Sequence, residues 1–143
     1  MRHVWGMTLL AGASAALLVA PQPLRAQACK DETAMVEGSR QALVEFVATV
    51  KKESLAEFET LNHQKSAVNR LGLHNTMLGE LVGCLEKAAQ DTTASKDDAA
   101  AAKAQHDAAV KSQEKVQQQQ GAIKDVKASK DAKALIEKLD LAS

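Results

Sequence analysis

The chain has no tyrosine, one tryptophan, two phenylalanines and two prolines among its 143 residues. The tryptophan and both prolines lie before residue 29, so Phe46 and Phe58 are the only aromatic residues that follow. Sheets favour aromatic and β-branched residues and need glycine or proline turns. Alanine, leucine, lysine, glutamate and glutamine dominate here, and all of them favour helices. We predict an all-α fold, an antiparallel helical hairpin plus a long third helix, as a three- or four-helix bundle or a coiled-coil-like assembly.

The chain also lacks an excess of charge of either sign. It has 18 basic and 18 acidic side chains, and its formal net charge at pH 7 is +0. Nucleic-acid binding needs a basic field for the phosphates and, for single strands, aromatic side chains that stack on the bases. We therefore expect no nucleic-acid partner. No apolar run after residue 28 reaches the roughly 20 residues that span a bilayer, so we expect no transmembrane segment in the mature chain.

The first 28 residues carry the three-part pattern of a secretory signal peptide. Arg2 gives a positive start, an alanine-rich apolar stretch follows at 9–20, and Ala26-Gln27-Ala28 places small residues at the −3 and −1 positions of a cleavage site. The apolar stretch is too short for a bilayer-spanning helix, which needs about 20 residues. We predict a bacterial signal peptide at 1–28, cleavage after Ala28, and a periplasmic or secreted mature protein.

Cys29, the first residue after the predicted cleavage site, has two alternative fates. Bacterial lipoproteins also place a cysteine there, but they usually have leucine at −3 and a small or β-branched residue at −2. This chain has Ala26 and Gln27 at those positions. Cys84 is the only other cysteine, and export permits a disulfide. We predict a disulfide between Cys29 and Cys84, with lipidation of Cys29 as the alternative that matches less well.

Two amphipathic segments predict that residues 29–92 form a disulfide-linked helical hairpin. The first segment ends near Lys51-Lys52, where cations suit the negative end of a helix dipole. Ser54 and Glu57 have the spacing of a capping box, which predicts a new helix start; an unbroken helix is the alternative, because the apolar pattern continues. The second segment fades at 90–93. The apolar stripe of the first segment contains Val36, Leu43, Phe46, Val47 and Val50. That of the second contains Phe58, Leu61, Val68, Leu71, Leu78, Leu81, Leu85 and Ala88.

Residues 93–143 form a predicted third helix rich in alanine, lysine and glutamine, which opens near Ser95 and has an expected break between 121 and 130. A heptad repeat runs along it, as in a coiled coil. We define the heptad seam as Ala102, Ala109, Val116 and Ile123. The other half of the repeat, Ala99, His106, Gln113 and Gln120, is small or polar. Because the seam is thin, we expect its four residues to contact a partner protein or a second copy.

The predicted disulfide also indicates where the hairpin turns. A disulfide needs Cα atoms within about 7 Å, so the two helical arms must be nearly equal in length. The midpoint of the two cysteines lies near residue 56, which places the reversal at Lys51–Phe58. Glycine in a helix interior costs about 1 kcal/mol relative to alanine, so a packing reason is expected for glycines on the second helix. Those glycines, spaced by seven and four residues, are Gly72, Gly79 and Gly83.

The histidines are the candidate metal and haem ligands. Of His63, His74 and His106, none has a second histidine three or four residues away, and the chain has no C-x-x-C-H haem motif. Glu59 and His63 form one i,i+4 pair, for which we expect a surface hydrogen bond or ion pair, because a metal site needs further ligands. His74 lies on the apolar stripe and is expected to be partly buried. We predict no metal ligand and no cofactor.

Catalysis is not indicated by any motif in the chain. There is no G-x-S-x-G nucleophile setting, and no serine, histidine and aspartate converge in the pattern. Cys84 lies on an apolar helix face and is expected to be oxidised, which makes it a poor nucleophile. We predict that the protein is not an enzyme and has no catalytic residue.

The function expected from these patterns is that of an exported, non-catalytic helical protein. We expect an envelope or periplasmic interaction, scaffold or chaperone-like role that acts through the long third helix, on an unknown protein partner or by self-association. The alternative is a small-ligand, metal or haem carrier with a site inside a four-helix bundle, using His74 and a methionine.

Overall fold

The computed structural model describes residues 29–142, which form five α-helices and no strand. The predicted all-α fold is therefore confirmed. The predicted signal peptide and its cleavage site, residues 1–28, lie outside the described residues. The helices are α1 (Lys30–Lys52), α2 (Leu55–Thr60), α3 (His63–Gln90), α4 (Lys96–Asp125) and α5 (Ser129–Glu137).

Helix α3 lies at the centre of a helical bundle. The helices α1 and α4 both pack along α3, and the short helix α5 packs against all four other helices. The side chain of Gln120 bonds to Val68 and that of Gln113 to Asn75, so α4 runs antiparallel to α3. The predicted hairpin of two antiparallel helices corresponds to α1 and α3, with α2 inserted in the turn. No helix among the described residues combines the length and apolarity needed to cross a membrane.

The turn of the hairpin forms where the sequence predicts it. Helix α1 ends at Lys52, and α2 begins behind a complete capping box in which Ser54 Oγ accepts from the Glu57 N–H and Glu57 Oε2 accepts from the Ser54 N–H at 2.6 Å. The alternative of an unbroken helix is therefore wrong. Asn62 then joins α2 to α3 in the left-handed region, with φ of 56°, a conformation that asparagine tolerates better than most residues.

An aromatic cluster closes this end of the bundle, which we call the turn end. The ring of His63 lies 5.7 Å from that of Phe46 and 5.5 Å from that of Phe58. The guanidinium of Arg70 lies over the Phe46 ring, 5.1 Å from its centroid. His63 Nε2 contacts a carboxylate oxygen of Glu53. The contact expected between His63 and Glu59 is replaced by this one, because the turn brings residues 53 and 63 together.

Two glutamines of α4 hold this helix against α3. Gln120 Nε2 donates to Val68 O at 2.9 Å, and Gln113 Nε2 donates to Asn75 O at 3.4 Å. A Cβ atom added at Gly72 would lie 3.0 Å from Gln120 Nε2, and one at Gly79 would lie 3.1 Å from Gln113 Nε2. The packing reason expected for the glycines is therefore present at Gly72 and Gly79, which make room for the two amides.

The expected break between 121 and 130 falls after Asp125, since α4 continues through Gly121. Gln64 of α3 donates to the carbonyls of Ile123 and Val126, both at 2.7 Å, and so provides partners for carbonyls at the end of α4. The chain then turns back, and α5 begins at Ser129. This turn places α5 in the space between α1, α3 and α4.

The core has two parts. The larger cluster fills the turn end and the centre of the bundle, and the smaller one surrounds the disulfide. Burying a Val, Leu, Ile or Phe side chain fully contributes about 1.5–3 kcal/mol, so the larger cluster supplies most of the apolar stabilisation. Its buried members are Leu43, Phe46, Val47, Val50, Phe58, Ala67, Leu71, Leu78, Val116, Ile123, Ala132 and Ile136.

Candidate functional site

The heptad seam does not present a free surface. Its four residues are buried against helices of the same chain, with exposed fractions between 1% and 7%. The interpretation of these side chains as partner contacts is therefore corrected: the seam is covered by α3 and its neighbours, because the glycines of α3 let α4 approach closely. The four residues concerned are Ala102, Ala109, Val116 and Ile123.

The predicted disulfide is present and ties α1 to α3 at the end of the bundle opposite the turn, which we call the disulfide end. Cys29 and Cys84 are bonded, with Cα atoms 5.9 Å apart across a sequence separation of 55 residues. Cys29 is 1% exposed and packs with Leu85 and Ala109. The disulfide therefore fixes the first turn of α1 beside the last turns of α3 and the middle of α4.

An apolar groove runs between α1, α3 and α4 at this end. Its volume is about 490 Å³. A stripe of α3 (Leu78, Leu81 and Leu85) lines its floor, and Ala108 and Ala109 of α4 and Val36 of α1 lie along its sides. Leu81 is half-buried although it adjoins the core. Polar side chains complete the lining: Thr33, Glu37, Gln105 and Ser112.

The groove is the uncovered continuation of the space that α5 fills. Ala132 and Ile136 of α5 are fully buried between the other helices, and Leu139 and Leu141 continue this apolar contact along the chain. The C-terminal tail, defined here as residues 138–142, then reaches the near end of the groove. Beyond it, the same floor and the same sides continue toward the disulfide without a covering element among residues 29–142.

His74 lies under this tail, on the α3 stripe that forms the groove floor. It is 5% exposed and adjoins a cavity of about 50 Å³ that Leu141 and Ala142 also line. Its Nδ1 lies 2.6 Å from Ser39 Oγ, and this hydroxyl donates to Val36 O at 2.9 Å. Because the hydroxyl has a single proton, it accepts from Nδ1, which leaves Nε2 as the basic nitrogen.

The charges around His74 come from three elements. Arg40 and Glu37 on α1 are paired with each other, and Lys115 on α4 pairs with Asp140 of the tail at 2.5 Å. Burial lowers the pKa of His74 below its ordinary value, and the Arg40 guanidinium lowers it further, while Glu37 acts in the opposite direction. His74 is therefore held neutral near pH 7.

No histidine belongs to a group of three histidine, cysteine, aspartate or glutamate side chains close enough to hold a metal ion in the part of the chain that the structure describes. The described residues contain one set of three side chains that could hold a metal ion, namely Cys29, Glu32 and Cys84, and both sulfurs are committed to the disulfide. His106 bonds to its neighbour Asp107. The cavity beside His74 has room for a few waters, whereas small-molecule sites usually occupy roughly 300–1,000 Å³.

A scan against protein-family models, a search of the curated proteins and a search of the solved structures each found no match for this chain. The apolar groove and the covered histidine at its near end are therefore the observations from which a function can be inferred. Their positions depend on how α1, α4 and α5 pack around α3, so the apolar stripe of α3 was visible in the sequence while the groove was not.

Proposed function

We propose that this chain is an exported, non-catalytic binding protein, and that its groove holds an amphipathic helix of another envelope protein. The observation that carries the proposal is that no element among residues 29–142 fills the apolar groove of about 490 Å³ beside α3, on whose floor Leu81 stays half-buried. The role expected for α4 is kept in a changed form: the exposed residues Gln105 and Ala108 line the groove, and of the heptad seam only the buried Ala109 does so.

The proposed occupant follows from what fills the adjoining half of the same space. There the chain places α5, a nine-residue helix whose small and aliphatic side chains, Ala132 and Ile136, enter between α1, α3 and α4. The open half has the same α3 floor and the same flanking helices. A helix with alanine, leucine or isoleucine at i, i+3, i+4 and i+7 has the matching shape, as in other helix-in-groove complexes.

The size and lining of the groove agree with this occupant. A volume of about 490 Å³ accepts a few aliphatic side chains from one helix face and excludes a folded domain. The hydroxyl and amide groups of Thr33, Ser112 and Gln105 can bond to polar residues that flank such a face. Export rests on the signal-peptide pattern of residues 1–28, and the Cys29–Cys84 disulfide is of the kind that persists in oxidising compartments.

Site-specific photo-cross-linking in the native cell tests the proposal. A photoreactive amino acid is placed at Ala108, an exposed residue that lines the groove, and at Ala122, an exposed residue on the same helix that lies away from it. We expect an adduct from position 108 and none from position 122. Mass spectrometry of the adduct should locate a single segment of one protein, with an aliphatic helical face.

Three outcomes would contradict this function. A lipid adduct at position 108 would indicate a carrier of acyl chains, and equal adducts from both positions would indicate contact without use of the groove. The absence of any adduct at position 108, while the chain is folded and oxidised, would indicate that the groove is empty in the cell.

A further inference from the structure

We propose that the C-terminal tail is an acid-released cover over the near end of the groove, controlled by His74. This inference rests on the proposed function for its biological meaning, because it concerns regulation of the same groove. The motivating observation is the position of His74. The groove floor runs Leu85, Leu81, Leu78 along α3, and the next residue of this stripe, His74, lines the small cavity that the tail also lines.

The cavity under the tail and the open groove are adjoining parts of one space. Both are lined by Val36 and Glu37 of α1, Leu78 of α3 and Ser112 of α4. Among the described residues, the tail contributes Asp140, Leu141 and Ala142 to the lining of the cavity. Removal of the tail would therefore lengthen the groove by about one helical turn, from Leu78 to His74.

The tail is held by few contacts, and most of them are polar and exposed. Lys115 Nζ contacts Asp140 Oδ2 at 2.5 Å and donates to Ala142 O at 3.2 Å, and Gln119 donates to Asp140 O at 3.2 Å. The half-buried Leu139 and Leu141 are the apolar contacts. Exposed ion pairs contribute little to stability, so the tail is the part of the cavity wall that opens most readily.

Protonation of His74 Nε2 would place a positive charge in this cavity beside Arg40, with Lys115 also in the lining. The carboxylates that face the same cavity, Glu37 and Asp140, are already bonded to those two cations. Arg40 lowers the pKa of Glu37, and Lys115 lowers that of Asp140, so both carboxylates stay charged while the histidine titrates. Opening the tail admits water to the imidazolium and removes this unfavourable burial.

The direction of the pH effect follows from the lowered pKa of His74. With the tail closed, His74 takes up its proton at lower pH than an exposed histidine, whose ordinary value is 6.5. The open form therefore binds more protons as the pH falls below about 6.5. The equilibrium constant for tail closing then falls by up to about tenfold per pH unit, until His74 is protonated in the closed form as well.

Amide NMR on the mature, oxidised chain tests the proposal without any ligand. The 1H–15N nuclear Overhauser effect of residues 138–142 reports tail order, and the imidazole proton shifts of His74 report its titration in the same sample. We expect the tail to be ordered at about pH 7.5 and to lose order along the His74 titration curve. Asp140→Asn, which removes the Lys115 pair and so weakens the closed form, should shift this loss of order toward higher pH.

His74→Gln is the matched variant, because glutamine can bond to Ser39 but cannot titrate. In this variant the tail should stay ordered at low pH. The proposal is overturned if the wild-type tail stays ordered after His74 is protonated, or if His74→Gln shows the same transition. Since no partner is present, a failure here leaves the cross-linking result at Ala108 unaffected, and the two proposals can fail separately.

Discussion

The two ends of this bundle are stabilised in different ways. At the turn end, Phe46, Phe58 and His63 pack together and α5 covers the apolar surface of α1, α3 and α4. At the disulfide end there is no covering helix among residues 29–142, the core cluster is small, and a covalent bond joins α1 to α3. At the disulfide end, a covalent link therefore joins two of the helices around a groove that no element among residues 29–142 fills.

Of the changes considered, removal of the disulfide should lower the free energy of unfolding the most. A loop of this length predicts a loss of about 4 kcal/mol in the free energy of unfolding, because the reduced chain gains entropy when it unfolds. We expect this loss in a Cys29→Ser, Cys84→Ser double variant, measured by urea denaturation against the oxidised wild type. Amides that exchange only by global unfolding, including those around Phe46 and Phe58, should lose protection by this same amount, because the effect lies in the unfolded chain. The first turns of α1 and the last turns of α3 should lose more, because the disulfide also opposes local opening there. Unchanged exchange at these two helix ends would contradict the assignment of separate stabilising roles.

The next largest loss of stability should come from a truncation in α5, the helix that covers the turn end. Ile136→Ala removes a side chain that is fully buried under α5, and such truncations typically lower the free energy of unfolding by about 2–5 kcal/mol. Leu135→Ala is the control one position earlier, since Leu135 is 36% exposed and should lose much less. Thermal and urea unfolding measure both. Similar losses in the two variants would show that α5 does not pack on the face described.

The close contact of α3 with α4 can be tested with a smaller change. Gln120→Ala removes a hydrogen bond to Val68 O and should cost about 1 kcal/mol. Gly72→Ala should bring little gain in the wild type, because its Cβ would crowd Gln120 Nε2, but should stabilise the Gln120→Ala variant by up to about 1 kcal/mol. A double-mutant cycle measures this coupling, and strict additivity of the two changes would contradict it.

Gly83 provides the matching test at the disulfide end. A Cβ atom added there meets no atom within 4 Å. Gly83→Ala should therefore stabilise the protein by about 0.5–1 kcal/mol in any background, because alanine favours the helix. A destabilised variant would mean that the last turns of α3 are packed more closely than described.

Structural features that depend on residues close together in the sequence were predictable from it. The capping box at Ser54 and Glu57, the helix start near Ser95 and the break before Ser129 each depend on a few adjacent residues. The disulfide was predictable because the chain has only two cysteines, and this bond then placed the turn. These features follow from local chemistry and helix geometry, which a single sequence contains.

Features that depend on which helices meet were not predictable. The heptad repeat of α4 correctly indicated a buried face, but a repeat does not state whether the covering helix belongs to the same chain. The bonds of Gln113 and Gln120 above two glycines depend on the alignment of α4 against α3. The groove exists because α5 is nine residues long and α3 is 28, so it depends on where α5 docks.

The claim that the groove is the binding surface has one direct test. The helical segment identified by cross-linking at Ala108 is synthesised, and its affinity is measured by calorimetry for the wild type and for two variants. Ala108→Arg, which places a charge in the groove, should weaken binding at least about tenfold, as loss of one well-packed contact does. Ala122→Arg, on the same helix outside the groove, should bind as the wild type does. Equal affinity for Ala108→Arg and the wild type would contradict the account.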